Sequence, residues 1–193
     1  MTDETDFALF AEPNKQNDRV WTDDQANVPP VEVVKHSAKL KVWGGVSAFG
    51  KTKLYFYDGT MDMKKYLKVL EKMKPEAEAF FGDDDWCFQH DGASAHKAKT
   101  VNKWLEENVP EHITSGPAGE WCANSPDLNY IENVWAIMDE KLEEKPPKTL
   151  NALKRRVKKI WRDLDQEVIK NMARGMKKRL KSVIKNKGGF IGK

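Results

Sequence analysis

The order of element signals along the chain predicts an α/β layer architecture with a mixed sheet: strands, helix, strand, helix, a short strand, then helices. Three observations carry that prediction. Residues 39–48 (Lys-Leu-Lys-Val-Trp-Gly-Gly-Val-Ser-Ala) alternate in polarity like a half-buried strand. A short apolar run, Trp86 to Gln89, ends abruptly at His90-Asp91. Beyond residue 129 the apolar positions recur only at helical spacing. At 193 residues the chain suits one substantial core and is short for two domains.

The elements follow in order. Residues 53–57 (Lys-Leu-Tyr-Phe-Tyr) form the hairpin partner of 39–48 across Phe49-Gly50-Lys51, and Asp58-Gly59 closes that strand as a turn. Tyr66, Leu67, Leu70 and Met73 give residues 61–73 a helical face. Phe80-Phe81 and the run Asp83-Asp84-Asp85 read as a loop, with the acids a solvated cluster rather than a metal site. A helix over 95–108 carries Ala98, Val101, Trp104 and Leu105 on one side, and a short strand is expected around Ile113. Gly116-Pro117-Ala118-Gly119 marks a loop. A helix over 129–142 is stopped by Lys145-Pro146-Pro147. Thr149 caps the next helix, which turns Leu150, Leu153, Val157, Ile160 and Trp161 to one side. A last helix carries Ile169, Met172, Met176, Leu180 and Val183 and ends at Gly188-Gly189.

Composition narrows the function classes. Hydrophobic residues at 39% and charged residues at 33% describe a globular chain. Two cysteines, Cys87 and Cys122, make neither a disulfide framework nor a CxxC zinc site, and fit a reducing compartment. No apolar run reaches membrane-spanning length and no signal peptide opens the sequence, so a soluble intracellular protein with no membrane partner is expected. The net charge of +3 conceals a polarity: residues 145–193 hold 17 Lys or Arg against three acids, whereas residues 1–144 are strongly acidic. This divides the chain into an acidic core, 1–145, and a basic helical C-terminal extension, 146–193, packed on it within one structural domain. Such an extension suits a phosphate backbone, and equally suits a solvated helix face.

Two motifs carry chemistry. Cys87-Phe88-Gln89-His90-Asp91-Gly92-Ala93 emits Asp91 from a strand end, with His96 just beyond. Ser125-Pro126-Asp127-Leu128-Asn129-Tyr130-Ile131-Glu132 starts a helix and places Glu132 in its first turn. Asp127 and Asn129 shape and cap that start, and His90 and His96 are kept out of the catalytic set. Carboxylates delivered from different elements toward one point suit Mg²⁺, which takes one or two carboxylates and leaves room for phosphate and water. Phosphodiester chemistry is the leading expectation.

Together with Thr2-Asp3-Glu4-Thr5-Asp6-Phe7, Val42-Trp43-Gly44-Gly45, Ile131-Glu132-Asn133-Val134-Trp135 and the tail Lys177 to Ile184, these motifs resemble, in collinear order, the catalytic domain of Tc1/mariner-type DDE transposases. The resemblance implies an RNase H-like mixed sheet flanked by helices, with the first strand truncated. It also implies that the family's N-terminal helix-turn-helix DNA-binding region is absent from these residues. It assigns Asp3, Asp91 and Glu132 as catalytic carboxylates and metal ligands for two Mg²⁺ or Mn²⁺ ions. Spacing alone does not separate Asp3 from Glu4 or Asp6. The implied reactions are DNA cleavage at a transposon end and strand transfer to target DNA, with DNA and a second copy of the chain as partners and a nuclear location in a eukaryotic host. Lys154, Arg155, Arg156, Lys158, Lys159, Lys177, Lys178 and Arg179 are candidate phosphate contacts. Two departures stand out: 40 residues lie between Asp91 and Glu132, with the excess expected in 115–123, and Tyr130 occupies a position commonly proline. Two alternatives stay open, a transposon-derived, catalytically inactive DNA-binding or interaction protein and a distinct RNase H-like nuclease.

Overall fold

The computed structural model describes residues 1–9, 23, 37–113, 121 and 125–189. Strands β1 (Thr2–Ala8), β2 (Lys39–Gly45) and β3 (Tyr55–Tyr57) form an antiparallel sheet in the order β1-β2-β3. The first strand, expected to be cut short, has seven residues, each in register with a residue of β2. Strands β4 (Cys87–Gln89) and β5 (Glu111–Ile113) pair in parallel, so the strands are mixed in direction as predicted. Helices α1 (Met63–Phe81), α2 (Lys99–Asn108), α3 (Ile131–Glu143), α4 (Leu150–Asp163) and α5 (Gln166–Lys185) complete the chain. Among the described residues no helix is long and apolar enough to cross a membrane.

Because successive strand residues face opposite ways, β2 feeds two cores. Val42 joins Phe7, Ile131, Val134, Trp135, Leu153, Val157 and Trp161 on the face covered by α3, α4 and α5. Trp43 joins Tyr66, Leu70, Met73, Phe88, Val101 and Leu105 on the face covered by α1 and α2. Helices on both faces of a central sheet give the layered arrangement. Gly44 allows the first face to close: a Cβ there would lie 2.8 Å from the ring of Trp135, which stacks on Trp161 at 5.4 Å. The basic helices are thus part of the main core through Leu153, Val157, Ile160, Trp161 and Ile169.

Three boundaries differ from the sequence reading. Helix α1 continues through Pro75 and includes Phe80 and Phe81, residues expected in a loop. Pro75 is exposed and gives up only one backbone bond, while Ala77 is buried and Phe81 stacks on Trp86 at 5.3 Å, so packing outweighs the loss. Helix α2 starts at Lys99 rather than Ala95, because residues 94–97 form a turn that sends His96 back to Asp91. Helix α3 starts at Ile131, after a 3₁₀ turn over Pro126–Leu128. The loop expected at Gly116-Pro117-Ala118-Gly119 lies outside the described residues. Tyr130 replaces the preset φ of proline with a long tether, its phenol donating to the Val46 carbonyl at 3.1 Å.

Candidate active site

Strand β1 delivers Asp3 to the α3 side of the sheet. There the Trp135 indole N–H donates to Asp3 Oδ2 at 3.0 Å, and the Trp135 ring meets Phe7 edge-on at 6.1 Å. Glu132 and Trp135 are three residues apart on α3 and share one helix face, so the tryptophan that holds Asp3 also brings Glu132 beside it. Glu132 is exposed and lies in the first helical turn, where the helix dipole favours a carboxylate. Asp91 follows β4, and its Oδ1 accepts from the Ala93 backbone N–H at 3.0 Å.

The three predicted carboxylates, from β1, the loop after β4 and α3, line one cavity of about 700 Å³ together with Gln89, Asn129 and Lys97. Burial, followed by the nearby Glu132 charge, pushes the Asp3 carboxyl up to about 8, against the opposing effect of the Trp135 bond. Asp91 behaves oppositely. Its bond to His96 holds it below the usual carboxylate range, against its partial burial. Burial alone would lower His96, but its bonds to Asp91 and Glu4 overcome that and hold it at about 9.

The donor set fits a hard divalent cation. Three carboxylates converge, and the side-chain oxygens Gln89 Oε1 and Asn129 Oδ1 are buried without a hydrogen-bond partner among the described residues. Oxygens are what Mg²⁺ and Mn²⁺ coordinate, and an orphaned buried acceptor favours a cation or its water shell. Glu4, Asp91 and His96 also present ligand atoms within 4.8 Å of one another, but His96 already bonds both carboxylates.

Sequence reasoning names the three acids and leaves their supports unread. Trp135 enters it only within a motif, and Glu4 only as a neighbour of Asp3. The signal for Glu4 is strand alternation, which turns it away from Asp3 toward His96. The candidate phosphate contacts divide. Lys154 and Lys158 sit over the Phe56 ring, Lys159 pairs with Asp163, Arg156 donates to the Lys141 carbonyl and Arg179 to the Asp127 carbonyl. Arg155, Lys177 and Lys178 are exposed on α4 and α5.

Residues 2–154 match the DDE superfamily endonuclease family. The transposable element Tcb1 transposase of Caenorhabditis briggsae is 31% identical over 157 residues, which is 80% of this chain and 55% of that protein. The transposable element Tc3 transposase of Caenorhabditis elegans is 27% identical over 154 residues, covering 79% of this chain and 45% of that protein. The chain spans about half the length of the curated relatives it matches. Among solved structures, the Mos1 transposase paired-end complex with left transposon end superposes with a TM-score of 0.79 at 17% identity, over 99% of this chain and 55% of that one. The Mos1 transposase catalytic domain with raltegravir and Mg superposes with a TM-score of 0.67 at 18% identity, over 80% and 78%. These likenesses give the fold as RNase H-like.

Proposed function

The chain belongs to the DDE superfamily endonuclease family and is of the Tc1/mariner transposase type, and we propose that it cuts DNA with divalent metal and joins the new end to target DNA. The observation that carries this reading is the convergence of Asp3, Asp91 and Glu132 on one cavity whose other walls hold orphaned amide oxygens. In this reading the three carboxylates hold two Mg²⁺ or Mn²⁺ ions, by analogy with the Mos1 catalytic domain solved with Mg and with Mn. Bound there, the ions would activate a water or a 3′-hydroxyl and stabilise the leaving oxygen.

The chain's own residues do the rest. Trp135 orients Asp3, and the Ala93 N–H and His96 orient Asp91. Gln89 and Asn129 place buried side-chain oxygens without a partner among the described residues beside these carboxylates. Lys97 lines the cavity and supplies a cation where a phosphate would sit. The exposed Arg155, Lys177 and Lys178 support contact with a longer stretch of DNA. Complexes of Mos1 with transposon ends support transposon DNA as substrate and a paired arrangement of two copies.

A plasmid-nicking assay with this chain tests the reading. Nicking should need Mg²⁺ or Mn²⁺, stop with chelator, and fall in Asp91→Ala and Glu132→Ala by more than the roughly 10–100-fold that loss of a ligand's outer partner costs. Nicking that survives chelator, or is undiminished in Glu132→Ala, removes the metal mechanism. Tight DNA binding with no nicking by the wild-type chain in either metal would instead favour the non-catalytic DNA-binding protein.

A further inference from the structure

Behind the cavity lies a row of buried polar rings. His90 and His96 are each 2% exposed and stack in parallel, 5.0 Å apart at 9°. The Tyr66 ring lies 3.9 Å from His96, and its hydroxyl is 2.9 Å from His90 Nδ1. His96 is clamped at both ends: Nδ1 is 2.6 Å from Asp91 Oδ1 and Nε2 is 3.1 Å from Glu4 Oε1. A neutral imidazole has one N–H, so only the doubly protonated ring donates to both carboxylates. Charge-assisted bonds of this kind are short and strong, and in a buried place they fix geometry.

What that clamp joins matters more than its strength. Glu4 is the chain neighbour of Asp3 on β1, whereas Asp91 lies just past β4. The two strands belong to different sheets, and among the described residues no ladder joins them. Side-chain ties between them include Thr2 Oγ1 donating to the Gln89 carbonyl at 2.9 Å, a link from Thr2 through the Tyr66 hydroxyl to His90, and the chain Glu4–His96–Asp91. Thr2 holds the strands together at Gln89 and, through Tyr66, at His90, whereas His96 supplies a further point at Asp91 itself, beside the gap to Asp3.

We propose that His96 is a positioning residue: by tying Glu4 on β1 to Asp91 beyond β4, it sets the separation of Asp3 and Asp91 that a divalent cation must bridge. This rests on reading the cavity as a metal centre. A preset gap discriminates between ions, because Mg²⁺ and Mn²⁺ need close, regular oxygen ligands while Ca²⁺ accepts longer and looser ones. Loosening the gap should therefore cost Mn²⁺ far more than Ca²⁺.

Calorimetric titrations of the chain with Mn²⁺ and with Ca²⁺ test this, each variant being checked for folding by circular dichroism. His96→Ala and Glu4→Ala should each weaken Mn²⁺ binding by about 10–100-fold, the range found when a ligand's outer partner is removed. Ca²⁺ affinity should change less than about threefold, since its coordination is flexible. Glu4→Gln keeps an acceptor for His96 and should recover most of the Mn²⁺ affinity. Folded Ala variants that bind Mn²⁺ as wild type does, or that lose both ions equally, overturn the proposal. So does a Glu4→Gln variant as weak as Glu4→Ala, which would make Glu4 itself a ligand. If His96→Ala does not fold, the comparison of Glu4→Ala with Glu4→Gln decides. Asp91→Ala separates the two levels: if it leaves Mn²⁺ binding intact, the metal reading itself falls, and the positioning role with it.

Discussion

Asp3 is the residue whose state depends most on the metal. Burial and the Glu132 charge raise its carboxyl to about 8, so near neutral pH the metal-free fold holds a proton that the unfolded chain has released. Bound protons in excess in the native state make stability fall as pH rises. The fall should begin near the unfolded carboxyl value, about 4, and level off past about 8. His96 acts in the same direction over a higher window: its contribution is full below its unfolded value of about 6.5 and is lost as pH rises through about 9. Asp3→Asn keeps an acceptor for Trp135 and removes the titration. In chelator at pH near 8 it should be more stable than wild type by at least about 1 kcal/mol, since one pKa unit is worth about 1.4 kcal/mol. That is about 2–4 °C in Tm for a chain of this size, and the difference should shrink toward acid pH. Parallel melting profiles for the two proteins across that range would show that Asp3 ionises freely. At this scale the sequence is partly legible. The motifs around Asp91 and Glu132 expose those two acids, while Asp3 stands apart from Glu4 and Asp6 only through the family resemblance. Its indole partner lies 132 positions away, and no local pattern reports a contact of that range.

Among the elements, α5 has a part that charge counting obscures. Its first residue, Gln166, donates to the Ser47 carbonyl at 2.8 Å, and Arg179 donates to the Asp127 carbonyl at 2.8 Å. The helix therefore spans from the β2–β3 hairpin to the 3₁₀ turn that leads into α3. That turn sets where Glu132 begins its helix, so a candidate phosphate contact also braces the candidate site. Arg179→Ala should speed amide exchange at Leu128 and Asn129, whose N–H groups bond within the turn, by about fivefold or more, as loss of one hydrogen bond of about 1 kcal/mol allows. Exchange in α4 should not change. Unchanged exchange in the turn would leave Arg179 with a surface role only. Helix identity is legible because periodicity and caps are local, as Thr149 accepting from Ala152 at 3.2 Å illustrates. Boundaries are less legible where a tertiary contact decides them. Phe81 extends α1 because Trp86 stacks on it, and His96 delays α2 because Asp91 and Glu4 claim its ring.

Across the whole molecule, the charge division read from the sequence meets a more selective structure. The basic residues of α4 and α5 share a fold with the acidic body, and several already have intramolecular work: Lys159 with Asp163, Arg156 with the Lys141 carbonyl, Lys154 and Lys158 over Phe56. Exposed salt bridges and cation–π contacts of this sort are weak, about 1 kcal/mol or less, and a phosphate can compete for them. Arg155, Lys177 and Lys178 have less to give up, because they stand exposed. If DNA lies along this surface, these three contribute to counterion release with the equally exposed Arg174, Lys181, Lys185 and Lys187. Binding of a labelled duplex, followed by anisotropy over a series of salt concentrations, should give a steep linear fall of log K with log salt. The triple substitution of Arg155, Lys177 and Lys178 to Ala should reduce the slope by roughly 0.9 for each phosphate no longer neutralised, or about 2.7 in all. Lys159→Ala should reduce it less, because Lys159 is already partly neutralised by Asp163, which Arg162 continues to hold after the substitution. Its main effect would be weaker binding at every salt concentration, most marked where screening is least. A slope that the triple substitution leaves unaltered would mean that Arg155, Lys177 and Lys178 form a solvated face and that DNA meets other residues of this domain.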